Sequence, residues 1–193
     1  KLKNACTGNG AGDEGSIVVL EAKTGRVLTW AYTPSFDVTE LLTAYAAANH
    51  NTTTWENIVE NTLHSETYPM LYPRMPGSVF KILTSIGIIE KGESCLSETV
   101  YDGTGYLQLE NSVLPNAGGQ VYGEIGFKQA FIDSVNVYFA KKAIADIGKA
   151  RLDELAERYG IGTTQYFDFG TMLSRYDFSN NDEELARTAI GQQ

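Results

Sequence analysis

Ser78 and Lys81 stand three residues apart in M-P-G-S-V-F-K, directly after a Pro-Gly pair and at the head of a long apolar run. Serine is a weak nucleophile until a base takes its proton, and a lysine one helical turn away serves as that base if it is held neutral. Burial drives the lysine pKa down from its reference of about 10.4, and the positive end of a helix dipole disfavours a second charge in the first turn. The same residues also fit a solvated first turn, with Ser78 capping the helix and Lys81 reaching out to water. With 11 Ser and 9 Lys in 193 residues, about 0.5 S-x-x-K pair is expected by chance, so spacing alone does not separate the two readings. A second polar element bears on the choice. Ser134 and Asn136, in F-I-D-S-V-N-V-Y-F-A-K-K-A, offer a hydroxyl to relay a proton and a carboxamide to bond a substrate amide. Ser179-Asn180-Asn181 repeats the S-x-N spacing in a polar loop with no apolar helix behind it, and reads as a chance copy.

These groups need rigid elements to hold them. From Ser78, Val79, Ile82, Leu83, Ile86 and Ile89 recur at helical spacing, Phe80 and Ile88 fill other faces, and Gly92 is a natural stop. A helix apolar nearly all round is expected to be buried. Ser134 and Asn136 fall between helical signals in F-K-Q-A-F-I-D and N-V-Y-F-A-K-K-A-I-A-D-I-G; another follows in R-L-D-E-L-A-E-R-Y-G, and N-D-E-E-L-A-R-T-A-I-G-Q-Q opens a last one. Upstream, Ile17 to Leu20 and Val27 to Tyr32 read as two strands around the polar turn Lys23-Thr24-Gly25. Asp37 and Glu40 give a D-x-x-E helix start. Residues 93–123 read mostly as loop with short extended pieces.

Composition narrows the function classes. A chain of 193 residues supports one domain with a sizeable core, and one domain over 1–193 is the expectation. A net charge of −9 with scattered basic residues argues against a nucleic-acid surface. No run approaches the roughly 20 apolar residues of a membrane helix, and K-L-K-N-A-C-T-G-N-G-A-G-D-E-G is too polar for a signal peptide. The chain reads as soluble, and its start without Met suggests a piece of a longer protein whose anchor lies elsewhere. Cys6 and Cys95 lack C-x-x-C spacing and His50 and His64 lack companions, so no metal site is expected, and one disulfide is permitted without being required.

P-G-S-V-F-K followed by an apolar helix, then S-V-N-V-Y-F-A-K-K-A-I-A-D-I-G, resembles the transpeptidase domain of penicillin-binding proteins, whose signature is S-x-x-K, S-x-N and K-[ST]-G. The likeness extends to S-I-V-V-L-E-A-K-T-G-R-V-L-T-W-A-Y-T-P-S-F-D, Y-G-E-I-G-F-K-Q-A-F-I-D-S-V-N, Y-G-I-G and T-A-I-G-Q, from about residue 15 onward. The resemblance implies an α+β fold of the β-lactamase/transpeptidase type, an antiparallel sheet flanked by helices with Ser78 opening the central buried helix. It implies a D-Ala-D-Ala transpeptidase that cross-links peptidoglycan stem peptides through a serine acyl-enzyme and is acylated by β-lactams. In that reading Lys81 is the base, Ser134 a proton relay and Asn136 a substrate-amide contact, with no metal or organic cofactor. Partners would be stem peptides, β-lactams and cell-division or elongation proteins, in an extracytoplasmic protein anchored to the membrane outside this chain. A class D-type β-lactamase, a β-lactam sensor domain and a non-catalytic scaffold of the same fold are the alternatives. The only K-[ST]-G copy, Lys23-Thr24-Gly25, precedes Ser78 and reads as the hairpin turn; the third motif and its neighbouring C-terminal strands are expected past Gln193. Asn61-Thr62-Leu63 stands where the family often has Asn-Arg-Ala, and H-S-E-T-Y-P-M-L-Y-P-R-M is a long run into the nucleophile.

Overall fold

Two apolar runs on either side of a polar, glycine-closed turn make a hairpin. The computed structural model describes residues 15–33, 37, 39, 42, 43, 46, 47, 74–163, 174, 176 and 178–192. In it β1 (Gly15–Leu20) pairs antiparallel with β2 (Val27–Thr33), Ile17 opposite Ala31 and Val18 opposite Trp30, with a register shift between Val19 and Leu20. Glu21 N–H donates to Arg26 O at 2.8 Å and Gly25, at φ 73°, donates back to Glu21 O at 2.8 Å. Lys23-Thr24-Gly25 is therefore the hairpin turn, as its position requires. Thr39, Leu42, Thr43, Ala46 and Ala47 are helical, and Asp37 Oδ1 accepts from Thr39 N–H at 2.7 Å, the capping bond of a D-x-x-E start. Glu40, His50, His64, Cys6 and the stretch around Asn61 lie outside the described residues.

The hairpin belongs to one compact unit, Lys1–Pro73 with Tyr166–Met172, and the candidate catalytic residues to a second, Arg74–Gln165 with Leu173–Gln193. In the second unit a 3-10 turn, Gly77–Phe80, runs without a break into α1 (Lys81–Lys91), which stops at Gly92, φ 111°. Then come α2 (Glu93–Ser97), β3 (Val100–Asp102), β4 (Tyr106–Gln108), β5 (Val113–Pro115) and β6 (Gly123–Ile125). β3 pairs with β6 and β4 with β5, both antiparallel. The helical remainder is α3 (Phe127–Ile132), α4 (Asn136–Lys142), a π turn over Ala143–Ile147, α5 (Gly148–Arg158) and α6 (Asp182–Ala189). The core gathers Leu83 and Ile88 of α1, Leu114, Val137 and Phe139, Leu152 and Leu155 of α5, and Leu185 of α6. Full burial of each such side chain contributes roughly 1.5–3 kcal/mol.

One sequence expectation needs correction. The helix after Ser78 is not buried all round: Leu83, Thr84, Ser85, Gly87 and Ile88 face inward, while Val79, Ile82 and Ile89 are 69%, 55% and 52% exposed. The buried face is the one with small residues, because close helix packing needs them; a Cβ at Gly87 would sit 3.2 Å from Leu155 Cδ1 and 3.3 Å from Ile147 Cδ1. The stretch 93–123 lies outside helix and strand for about half its length, with the short extended pieces expected, β3, β4, β5 and the first residue of β6; what the sequence did not show there is the helix α2.

Candidate active site

Gly77 opens the 3-10 turn at φ 57°, and its N–H donates to Gly191 O at 2.9 Å. Gly191, φ 75°, ends α6 in a Schellman motif: Gly191 N–H donates to Thr188 O and Gln192 N–H to Arg187 O, each at 2.9 Å. Thr84 Oγ1 of α1 donates to Ala189 O at 2.7 Å, satisfying another carbonyl at that helix end. The end of α6 thus fixes the turn that carries Ser78. In the 3-10 geometry residues i and i+3 eclipse, so Ser78 and Lys81 share one edge, with Nζ 3.2 Å from Ser78 Oγ. Ser78 is exposed and Lys81 is 2% exposed: the hydroxyl faces solvent while the amine lies beneath it.

Ser134 reaches the same amine through an unusual helix end. α3 also terminates in a Schellman motif, with Ser134 N–H donating to Phe131 O at 3.3 Å and Val135 N–H to Ala130 O at 2.9 Å. The residue at that position is left-handed and normally glycine. α5 ends the same way at Gly160, φ 74°, and α6 at Gly191; α3 alone of the three uses a serine, φ 56°, the one non-glycine residue at positive φ among the described residues. An L-residue there is disfavoured by about 1–2 kcal/mol. The strained conformation turns both the Ser134 carbonyl and its hydroxyl onto Lys81, with Nζ 2.6 Å from O and 3.0 Å from Oγ.

Asn136, first residue of α4, completes the ring. Its Nδ2 donates to Pro115 O at 2.8 Å, which leaves Oδ1 facing Lys81 Nζ at 2.6 Å. Two of the four groups around Nζ, Ser134 O and Asn136 Oδ1, are carbonyls that only accept, so a neutral amine spends its two N–H groups on them. Its lone pair is left toward the hydroxyls of Ser78 and Ser134, the arrangement in which it can take a proton from Ser78.

Electrostatics favour the neutral form. Burial lowers the Lys81 pKa to about 8, and no Asp or Glu pairs with it among the described residues. A second buried lysine shows the contrast: burial works to lower the pKa of Lys142, but its hydrogen bonds to Glu98 at 2.6 Å and to Asp146 at 3.0 Å raise it overall. Lys142 is a structural cation; Lys81 is poised to lose its proton.

All four sequence candidates, Ser78, Lys81, Ser134 and Asn136, therefore converge within hydrogen-bonding distance. The second S-x-N does not join them: Asn181 caps α6, its Oδ1 accepting from Glu184 N–H at 2.8 Å. Cys95 is a free, buried thiol. The sequence reading missed the supports, namely Gly77 against Gly191, Thr84 on Ala189, and the Pro115–Asn116 segment behind Asn136. For the last, the turn residues of L-P-N-A-G-G were the only available signal.

Known proteins similar to this chain are found by sequence and by shape. The chain is 28% identical over 172 residues to the peptidoglycan D,D-transpeptidase PbpA of Mycolicibacterium smegmatis, a match covering 84% of this chain and 33% of that protein. It is 28% identical over 162 residues to PbpA of Mycobacterium tuberculosis, covering 77% and 30%. The chain thus spans about a third of the length of these curated relatives. Its fold matches the imipenem acyl-enzyme complex of penicillin-binding protein A from M. tuberculosis at a TM-score of 0.75 and 23% identity, over 100% of this chain and 44% of that one. It matches the D,D-transpeptidase domain of a peptidoglycan glycosyltransferase from Eggerthella lenta at a TM-score of 0.75 and 24% identity, over 98% and 43%. The α+β transpeptidase fold anticipated from the motifs is therefore the fold of this chain. Residues 15–193 match the family described as the penicillin binding protein transpeptidase domain, and the chain belongs to that family.

Proposed function

We propose that this chain carries the serine acyl-transfer site of a peptidoglycan D,D-transpeptidase. Ser78 Oγ attacks the carbonyl of a D-Ala-D-Ala amide as its proton passes to the Lys81 lone pair. The amide C–N bond breaks, D-Ala leaves with a proton, and the amine of a second stem peptide then displaces Ser78 from the acyl-enzyme. A β-lactam acylates the same oxygen. Ser134 relays protons between Lys81 and the leaving group, and the second N–H of Asn136 Nδ2 receives a substrate carbonyl. The Ser78 backbone N–H, near the start of its turn and without an intrahelical acceptor, suits the developing oxyanion. The full-length protein acts outside the cytoplasm, where its peptidoglycan substrate lies, and is held there by an anchor outside this chain.

The observation that carries this reading is the buried amine 3.2 Å from an exposed serine hydroxyl, with its remaining neighbours two pure acceptors and a second hydroxyl. The test is to treat the full-length protein with benzylpenicillin, digest it and map the adduct. The penicilloyl group is expected on the peptide containing Ser78 and to persist for minutes or longer. An adduct elsewhere, or none, sinks the proposal, and prompt hydrolysis from Ser78 would mark a β-lactamase.

The strained serine gives a second prediction. Ser134→Gly relieves the left-handed backbone and should raise stability by about 1 kcal/mol, while removal of the relay slows benzylpenicillin acylation by about 10-fold or more. Thermal unfolding and stopped-flow acylation on one preparation check both. A variant that is stabilised and acylates at the parent rate would reduce Ser134 to a backbone element.

A further inference from the structure

Behind Asn136 lies a second polar cluster, on the side away from Lys81, with no part in the proton transfer. Asp102 at the end of β3 and Asn116 after β5 are 1% and 3% exposed. The Asp102 carboxylate accepts from Gly105 N–H at 2.8 Å, from Asn116 Nδ2 at 2.6 Å and from Tyr122 N–H at 3.3 Å. Asn116 Nδ2 also donates to Gln120 O at 2.8 Å. With both its amide protons taken, the orientation of the Asn116 carboxamide is settled: Oδ1 points to α4 and accepts from Val137 N–H at 3.0 Å. Buried groups of this kind are held in place because an unpaired one is costly.

The geometry points to Asp102 and Asn116 as positioning residues that set the direction of the Asn136 carboxamide toward a substrate amide. This inference rests on the acyl-transfer reading above. The peptide between Pro115 and Asn116 is gripped at both ends: its carbonyl accepts from Asn136 Nδ2 at 2.8 Å, and its N–H donates to Gly105 O at 2.9 Å. Asn116 therefore holds α4 twice, by its own side chain on Val137 N–H and by the carbonyl before it on the Asn136 side chain. Neither residue approaches Ser78 or Lys81 with a hydrogen bond in this structure. Asp102 acts one step further back: without its carboxylate the Asn116 carboxamide is left with Gln120 O alone to hold its amide protons. One proton of Asn136 Nδ2 is committed to Pro115 O, so the direction of the other, the one for the substrate, follows from where that carbonyl stands. A shift of about 1 Å in such a contact can lower a rate by about 10².

The test compares two β-lactams on the same protein: benzylpenicillin, which carries a side-chain amide carbonyl, and 6-aminopenicillanic acid, which has the same bicyclic ring and a bare amine. Second-order acylation rates are measured for the full-length protein, for Asn116→Ala, for Asp102→Asn and for Leu152→Ala, a buried core truncation in α5 far along the chain from the site. Because both rates come from one preparation, any unfolded fraction cancels in their ratio. Asn116→Ala should lower the benzylpenicillin to 6-aminopenicillanic acid ratio by about 10-fold or more, with Asp102→Asn moving it the same way by less, and Leu152→Ala should leave it within about twofold of the parent. An unchanged ratio in Asn116→Ala, or an equal fall in Leu152→Ala, overturns the positioning role while leaving the acyl-transfer reading intact. A parent protein that takes no acyl group from either compound overturns the acyl-transfer reading, and this inference with it.

Discussion

Lys81→Met is expected to slow benzylpenicillin acylation of the full-length protein by about 10²–10⁴, the largest loss available from a residue that forms no bond to substrate. Methionine is a chain of similar length, so the packing against Phe139 is retained while the proposed base is removed. In the parent, burial holds the Lys81 pKa at about 8, so about a tenth of the molecules carry the neutral amine at pH 7. The second-order acylation rate should therefore climb with pH through a single ionisation near 8 and level off above it, since this limb reports the free enzyme. Stability carries the same signature. The folded state holds this proton less tightly than the unfolded chain, whose lysine titrates near 10.5; the penalty for the buried ammonium is full below pH 8 and fades as pH rises to about 10.5. The unfolding free energy of the parent should accordingly gain on that of Lys81→Met by roughly 3 kcal/mol across that window. A rate that is flat between pH 6 and 9, or a Lys81→Met protein that acylates within about tenfold of the parent, removes Lys81 as the base.

What the sequence could and could not disclose divides along physical lines. The long helices were legible because an amphipathic period survives over two or more turns, as in α5, and because α5 ends in glycine at Gly160; for α6 only the start was read, and its end at Gly191 is seen in the structure alone. The four candidate residues were legible as residue types at familiar spacings, and the chain brings them together because Ser78 and Lys81 share a turn while Ser134 and Asn136 flank a helix break. Which face of α1 is buried was not legible: the sequence offers apolar residues on every side, and the choice falls to small residues such as Gly87 that let α5 approach. In β3 to β6 the sequence showed short extended pieces but neither their bounds nor their pairing, because three residues carry no period, and what holds that region is a web of single hydrogen bonds through Asp102 and Asn116. Ser134 shows the limit most clearly. Its type is visible in the sequence, but its use in place of the glycine of a Schellman motif is a property of backbone geometry, and that geometry is what aims two of its oxygens at one amine.

Gly191→Ala should disable the site from a position that bears no functional group. A Cβ there would stand 2.1 Å from Gly77 O, 2.8 Å from Gly77 C and 2.8 Å from Gly77 N. These are backbone atoms, unable to swing aside as a side-chain tip can, and Gly77 is bonded directly to Ser78. The alanine must also adopt φ 75°. Left-handed strain accounts for about 1–2 kcal/mol and the collision for about 1–3 kcal/mol more, relieved only by pushing the Gly77–Ser78 turn away from the end of α6. That displacement breaks the bond from Gly77 N–H to Gly191 O and carries Ser78 Oγ off Lys81 Nζ, so acylation per folded molecule should fall by about 10² or more. Gly148→Ala separates the two effects, because Gly148 has φ 73° with nothing within 4 Å of its Cβ position. At ψ 167° Gly148 lies outside the left-handed helical well, in a region nearly confined to glycine, so the variant should show backbone strain alone, a loss of about 1–3 kcal/mol, with acylation unchanged. Urea unfolding and stopped-flow acylation of both variants, the rates scaled to the folded fraction, decide the matter. If Gly191→Ala acylates within about threefold of the parent, the end of α6 does not position the nucleophile.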